Sequence, residues 1–365
     1  MTAALDDKQL VDLSDAPWAM HEFFAGSGMV SYGLKGLFSP VWANDISIKK
    51  AETYCSNFTS SHFILGDIKS IHGVDLPTAH LSWASFPCQD LSLAGSLGGI
   101  DADRSGLVWE WLRVLAEINK RPAVLVIENV TGLLSANQGN NYIRLHQALT
   151  DMGYRSGAIV IDAVLFVPQS RPRVFVIAVE KDVDIPACML DDKPNWLHNK
   201  AAANLGSSLP DWIWWRAPQP KGSNLRLEDI IDRTLPYDKD DVLRLVPPHH
   251  LKILDSCDSI VATGYRRTRK GNQCLELRFD GVAGCLRTPE GGSSKQFVVV
   301  KDRNGTHARL LSPREAARLM GAPDSFVLPQ SNNDGYRAMG DAVVLPVARF
   351  LGQVFLAELA EAAYG

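Results

Sequence analysis

The sequence predicts an α/β fold: a doubly wound parallel sheet with a smaller, β-rich region attached. Three observations carry this. Strand-like apolar runs alternate with helix-like segments through the first half of the chain. The late run Val174-Phe175-Val176-Ile177-Ala178-Val179 is apolar throughout, as a strand covered on both faces is. Near Asp182 the alternation stops, and regular structure returns only at Leu311. The 365 residues, 46% hydrophobic and 21% charged, suit one large domain or two of ordinary size.

The elements come in this order. A short strand is expected over 19–24, then a glycine turn and a helix near 29–37. A second strand, 41–44, ends at Asp45, and a helix fits 48–57. A third strand, 62–65, stops at Gly66-Asp67. Leu81-Ser82-Trp83 forms a fourth strand, ending near Ser85. An amphipathic helix over 104–119 separates it from the strand 123–127, which runs into Glu128. A helix over 141–152 ends at Gly153 and precedes the strand 174–179. Between 182 and 296 come Pro, Gly, scattered Trp and short β-like runs. Within it, Asp211-Trp212-Ile213-Trp214-Trp215-Arg216 reads as core of a smaller subdomain, with ligand stacking as the alternative. Tyr265-Arg266-Arg267-Thr268-Arg269-Lys270 is the densest basic run; taken alone, such a run is usually a solvated face. Ser312-Pro313-Arg314-Glu315 starts a helix over 313–320: Ser caps, Pro takes the first turn, Glu reaches back. A last helix fits 345–362.

Composition narrows the function. The net charge of −4 gives no overall support for a nucleic-acid binder, so any such site must be a local patch. The six cysteines form no CxxC pair, which argues against a zinc cluster and a dense disulfide framework. All but Cys88 are expected to be small buried apolar residues in a reducing, intracellular setting. The first residues lack a basic region and an apolar core for a secretory signal. No apolar run approaches the roughly 18 residues that span a bilayer. A soluble protein is expected.

Two short pieces carry chemistry. Phe86-Pro87-Cys88-Gln89 and Glu128-Asn129-Val130 each end a strand. Open α/β sheets place ligands outside the carboxyl ends of their strands, so a thiol and a carboxyl would face one crevice. A nucleophile beside a proton donor is the pairing that covalent catalysis needs. Phe24-Ala25-Gly26-Ser27-Gly28-Met29 succeeds the first strand and opens a helix. Its glycines allow a tight turn close to a ligand. Gly26 and Gly28 fit the first two positions of a dinucleotide fingerprint, but the third falls on Ser31, which weakens a nicotinamide reading. An adenosyl ligand without a pyrophosphate fits better, with Asp45 toward ribose hydroxyls and Asp67 toward the adenine edge. A glycine turn with no ligand remains the plain alternative.

With Gln169-Ser170-Arg171-Pro172-Arg173, Arg309-Leu310-Leu311-Ser312-Pro313-Arg314-Glu315, Met320-Gly321 and Gly340-Asp341-Ala342-Val343, the ordered set resembles the DNA cytosine-5 methyltransferases over most of the chain. The resemblance implies a Rossmann-like large domain that binds S-adenosylmethionine (SAM), covering 1–183 and 332–365. It also implies a smaller mixed-β domain, 184–331, whose target-recognition region covers about 184–296. DNA would be held between the two lobes. It implies transfer of the SAM methyl group to carbon 5 of a flipped-out cytosine in a specific double-stranded sequence, leaving S-adenosylhomocysteine, with no metal.

By resemblance the catalytic set is Cys88, Glu128, Arg173, Arg171, Gln89 and Asn129. Phe24, Ala25, Gly26, Ser27, Gly28, Asp45, Ile46, Asp67, Ile68, Pro87, Asp341, Ala342 and Val343 would bind the cofactor. DNA would meet Ser92, Arg104, Arg266, Arg267, Arg269, Lys270 and Thr288. The segment 89–104, with Gly95, Gly98 and Gly99 as hinges, would close over the duplex. The run at 266–270 would neutralise phosphates, with one Arg reading guanine. Three positions depart from the family: Met29 stands at a usual glycine, Asp45 at a usual Glu, and Asp341 where Asn is common. The Gly340–Val343 piece is expected where the family closes its sheet. A monomer in the cytoplasm, with a cognate restriction endonuclease as companion, is the expected setting. The alternatives are the same chemistry on tRNA and a catalytically silent DNA-binding protein.

Overall fold

The computed structural model describes residues 10–87, 106–237, 242–289 and 294–365. By their contacts, Met1–Val160, Val174–Ala217 and Ala348–Gly365 group as one unit, and Ile161–Arg173 with Pro218–Val347 as a second. Residues 184–217, expected with the smaller domain, therefore group with the first unit. Residues 332–347, expected with the larger domain, group with the second.

The first unit is built on β1 (Trp18–Phe23), β2 (Phe38–Asp45), β3 (Phe63–Leu65), β4 (Leu81–Ala84) and β5 (Val124–Val130). Helices α1 (Met29–Leu34), α2 (Ile48–Cys55), α3 (Leu107–Glu117) and α4 (Asn140–Asp151) connect or flank them. With β6 (Tyr154–Asp162) and β7 (Pro172–Glu180) they make a seven-stranded sheet in the order β3-β2-β1-β4-β5-β7-β6. The β3-β2-β1-β4-β5 pairs are parallel, so their carboxyl ends share one edge. Strand order reverses between β1 and β4, the switch point where such sheets place ligands. Each helix buries an apolar stripe. In α3 that stripe is Val108, Trp111, Leu112 and Leu115 at helical spacing, and the indole of Trp111 donates to Ser82 Oγ at 3.1 Å. β4 is buried along its whole length.

Helix α5 (Lys200–Gly206) and the tryptophan-rich segment complete this unit. Trp215 is fully buried and donates to Gly157 O at 3.2 Å, and Trp212 packs against Tyr142. The segment is core, as the sequence suggests, but it is core of the first unit rather than of a smaller subdomain. β6 has no counterpart among the strands expected from sequence, although it carries the apolar run Ala158-Ile159-Val160-Ile161 after a polar opening at Arg155-Ser156-Gly157. β5 continues through Val130, so Glu128 and Asn129 lie within the end of the strand.

In the second unit, α6 (Leu227–Ile230) and α7 (Pro248–Ser256) precede four antiparallel strands. These are β8 (Ile260–Arg269), β9 (Asn272–Arg278), β10 (Gln296–Asp302) and β11 (Gly305–Leu310), in the order β11-β10-β8-β9. One face carries Ala262, Leu275, Leu277, Phe297, Val299 and Ala308, packed with Val246 and Leu254 of the α7 region. Helices α8 (Pro313–Leu319) and α9 (Asn332–Gly340) come next. Ser312 and Glu315 form the expected reciprocal cap. α9 is unexpected from sequence, since Asn332-Asn333-Asp334-Gly335 reads as a turn. Gly340 ends this helix, and residues 341–343 form the bend after it rather than a sheet-closing strand.

The chain ends with α10 (Leu345–Leu351), a π-helical turn at Gly352–Leu356, and α11 (Ala357–Tyr364). Contrary to the expectation from sequence, the helical stretch Asn332–Tyr364 is long and apolar enough, by length and composition, to cross a membrane. Its Leu351, Phe355, Leu356 and Leu359 are fully buried core residues of this fold. The thiols also differ from expectation. Among the described cysteines Cys55 and Cys188 are exposed, and Cys257, Cys274 and Cys285 are half-buried. No metal-binding group of His, Cys, Asp or Glu occurs among the described residues.

Candidate active site and target-binding sheet

The glycine loop lies at the carboxyl end of β1. Phe24 adopts φ 58, a left-handed conformation rare for a bulky residue and a mark of a constrained site. Gly26 and Gly28 have φ 59 and 81. The two glycines do different things. A Cβ on Gly26 would meet nothing nearer than Phe24 O at 3.9 Å, so the loop is open there. A Cβ on Gly28 would lie 2.5 Å from Phe58 and 2.8 Å from Tyr54, so this glycine lets α1 close onto α2. The backbone N–H of Gly26 donates to Asp45 Oδ2 at 2.9 Å, and that of Ser47 to Oδ1 at 2.8 Å. Asp45 thus ties the loop after β1 to the end of β2 while each oxygen keeps a lone pair for a further donor.

Beside it Ile46 is 68% exposed, and Ile64 and Leu65 at the end of β3 are also exposed. These side chains give the sheet edge an apolar surface. Asp67 caps the next turn through Lys69 N at 3.0 Å, and Ile68 is buried in the core. Ser27 is buried and Ala25 nearly so.

Glu22, on β1 just before this loop, is a residue that sequence reasoning misses. It is 1% exposed. Its Oε2 accepts a short hydrogen bond from Ser31 Oγ, and its Oε1 has no partner. Burial pushes its carboxyl up to about 8; hydrogen bonds from Ser31 oppose this and the Asp45 charge adds to it. Ser31 Oγ is 3.4 Å from Tyr54 Oη, which is 2.9 Å from His62 Nε2. The only sequence signal is a charged residue inside an apolar strand.

Glu128 is 7% exposed near the end of β5. Asn129 Nδ2 donates to Phe86 O at 3.1 Å, fixing the turn after β4 against β5. Pro87 is exposed at the end of that turn. Cys88, Gln89, Ser92 and Arg104 lie outside the described residues, as does the whole closing segment 89–104.

In the second unit Arg171 is 2% exposed. Its Nη1 donates to Leu286 O at 2.8 Å, and its Nη2 to Gly340 O at 2.8 Å and Ala342 O at 2.9 Å. It is a structural peg. Arg173 is half-buried, with Nη2 3.8 Å from Cys285 Sγ; Arg171 Nη1 is 3.5 Å from the same sulfur. Burial raises the Cys285 thiol, but the two guanidinium groups outweigh it and hold it below the usual thiol range. Gln169 donates to Leu319 O and accepts from Leu286 N, so the whole Gln169–Arg173 motif is clamped. Thr288, expected on DNA, donates to Asp341, expected on the cofactor. Val343 is buried and Ala342 lends its carbonyl to Arg171.

The basic run divides by strand alternation. Arg266 sits over the Phe297 ring, 5.3 Å away, on the core-packed face. Arg267 and Arg269 lie on the other face, with Arg269 held by Glu276 at 2.6 and 2.9 Å. Lys270 and Gly271 make the hairpin tip with φ 49 and 82.

A family model described as C-5 cytosine-specific DNA methylase matches residues 18–356. Type II methyltransferase M.Bsp6I of Bacillus sp. (strain RFL6) is 29% identical over 336 residues, covering 90% of this chain and 96% of its own. Type II methyltransferase M.HhaI of Haemophilus parahaemolyticus is 26% identical over 350 residues, covering 95% of each. Among solved structures, the S. pombe Dnmt2 methyltransferase shares the fold with a TM-score of 0.59 at 20% identity, over 92% of this chain and 98% of that one. The Entamoeba histolytica methyltransferase EhMeth does so with a TM-score of 0.56 at 16% identity, over 95% and 98%. The chain belongs to the C-5 cytosine-specific DNA methylases, enzymes that transfer the methyl group of SAM to carbon 5 of cytosine in DNA.

Proposed function

We propose that Cys88 is the nucleophile of this reaction and Glu128 its proton donor. Carbon 5 of cytosine is a poor nucleophile. Addition of the Cys88 thiolate at carbon 6 turns the ring into an enamine and gives carbon 5 negative character. Glu128 holds a proton at ring nitrogen 3 and neutralises the charge that the addition creates. Asn129 fixes the cysteine turn through Phe86 O. Bound SAM supplies the electrophilic methyl group. Water as base then takes the carbon 5 proton, the electron pair re-forms the ring double bond, and Cys88 is expelled as thiolate. The single observation that carries the reading is the placement of a buried Glu128 on β5, tied by its neighbour Asn129 to the turn that leads into Cys88.

The loop Phe24–Gly28 fits an adenosyl ligand: it is open over Gly26, and apolar Ile46 flanks Asp45. Asp45 takes the ribose hydroxyls, and Asp67 with the Ile68 backbone takes the adenine edge. Pro87, Asp341, Ala342 and Val343 complete the set, with Asp341 oriented by Thr288. Arg173 holds the flipped cytosine, and Arg171 and Gln169 keep Arg173 in place. Arg267, Arg269 and Lys270 face double-stranded DNA, while the core-packed Arg266 contributes less. The first unit is the cofactor and catalytic domain, and the second carries target recognition. We place the enzyme in the cytoplasm as a monomer, paired with a restriction endonuclease, and without metal.

The test is a duplex with 5-fluorocytosine at the methylated position, incubated with SAM. An SDS-resistant adduct is expected with the wild type and absent with Cys88→Ala, which still binds DNA. An adduct that survives in Cys88→Ala overturns the assignment. Bisulfite sequencing of DNA from expressing cells reads the methylated context.

A further inference from the structure

The four cations of the 266–270 run look equivalent in sequence and are not equivalent in the fold. Arg266 is turned to the apolar face, opposite Leu275, with its Nε buried and unpartnered. Arg269 has its Nε and Nη2 engaged by Glu276. Lys270 sits at the tip. Arg267 alone of these lies over an aromatic ring of the opposite face: its guanidinium carbon is 5.0 Å from the centre of the half-buried Tyr265.

A fifth cation joins it. Arg287, which the sequence does not single out, is exposed and lies 5.7 Å from the same ring. It arrives from a different chain segment, held by Gly340, where a Cβ would be 2.7 Å from the Arg287 carbonyl carbon. Among the described residues, neither Arg267 nor Arg287 has a carboxylate within ion-pair distance.

The ring they share is fixed. Tyr265 Oη donates to Cys285 O at 2.5 Å and accepts from Gln296 Nε2 at 2.8 Å. Gln296 in turn clamps Gly284 through both ends of its amide, at 3.0 and 3.1 Å. A stacked guanidinium loses little freedom and keeps its N–H fork for an outside acceptor. Two like charges on one ring repel, and an acceptor-rich partner relieves that repulsion. The acceptor pair that a guanidinium fork matches in the major groove is O6 and N7 of guanine. A phosphate also accepts from such a fork, but it is met alike in every sequence, whereas a guanine contact appears as preference at one position.

We infer that Arg267 and Arg287, presented together on Tyr265, are the specificity-determining pair of this enzyme and that they read guanine in the methylated sequence. The inference rests on the reading that this sheet faces duplex DNA. It deepens that reading by naming which cations select bases and which only hold the backbone.

The experiment uses the full chain with a pool of duplexes randomised around cytosine. Preference is read twice, by bisulfite sequencing after methylation and by sequencing the bound fraction with S-adenosylhomocysteine present. The second readout does not need turnover. Arg267→Lys and Arg287→Lys keep the charge and lose the fork. Each is expected to relax preference for guanine at one position by about ten- to hundredfold, leaving other positions unchanged. Arg269→Ala is expected to lower binding evenly across the pool. If both Lys variants keep the wild-type guanine preference, or the wild type prefers no guanine at all, the inference is overturned while the family assignment stands. If the wild type methylates no cytosine, the reading beneath it falls too.

Discussion

The parallel sheet of the first unit and the antiparallel sheet of the second present function in opposite ways. In the function proposed, the first works at its edge: Phe24–Gly28, Asp45, Asp67 and Glu128 all come at or near the carboxyl ends of strands. The second would work on a face: Tyr265, Arg267 and Arg269 alternate along β8 with residues that pack inward. At an edge, chemistry is set by the residues directly after a strand. On a face it is set by parity, and one residue of shift exchanges binder for core.

The comparison can be broken most severely where the face is anchored. Arg309 and Glu315 form a buried pair with two N–H···O bonds, at 2.7 and 2.8 Å, and Glu315 also accepts from Ser312 N and Asp232 N. Burial raises the Glu315 carboxyl, but these donors outweigh it and hold it below the usual range. Arg309→Met leaves that carboxylate short of its main partner and should cost about 3–5 kcal/mol in denaturant unfolding. A loss under about 1 kcal/mol would show that the sheet does not depend on this anchor.

At the catalytic edge, Glu128→Gln should slow methyl transfer by at least about a hundredfold with folding intact. Single-turnover rates near wild type would remove the carboxyl from the chemistry.

The two glycines of the cofactor loop sharpen the contrast further. Gly28→Ala forces Cβ into Phe58 and Tyr54 at a positive φ and should destabilise by about 2 kcal/mol. Gly26→Ala meets open space but carries the same positive-φ strain, about 1 kcal/mol, so its larger effect should be on SAM binding. Calorimetry of both variants, with and without SAM, separates the two; equal effects on both measures would erase the distinction.

A different lever is pH. The Glu22 carboxyl is raised to about 8 in the fold against an ordinary 4.5 in the unfolded chain. The folded state therefore binds the extra proton between these values. The stability it brings is full below about 4.5 and is lost as pH rises through about 8. Glu22→Gln should flatten the fall in thermal midpoint over that window; an unchanged slope would show that Glu22 titrates normally.

This contrast also explains how much of the molecule is legible in the sequence. Strands β1 to β5 and the glycine loop announce themselves by apolar runs stopped at Gly, Asp or Cys, so their edge residues can be named from the sequence. The reciprocal cap at Ser312 is equally plain. α9 is hidden because its first residues are polar or glycine-rich, whereas β6 carries a signal in Ala158-Ile159-Val160-Ile161 that its polar opening masks. Arg287 has no signal, since only the fold brings it to Tyr265. Glu22 gives only a faint signal, because a lone acid in an apolar strand does not say which way its side chain is buried.

The seat of Arg171 also bears on how the chain folds. The carbonyls it grips are 115, 169 and 171 residues away along the chain. Contacts at such separation close only after the intervening chain has collapsed, whereas the β8–β9 hairpin is local. The guanidinium is therefore among the last groups to find its place during refolding, and competence for catalysis should return later than secondary structure does.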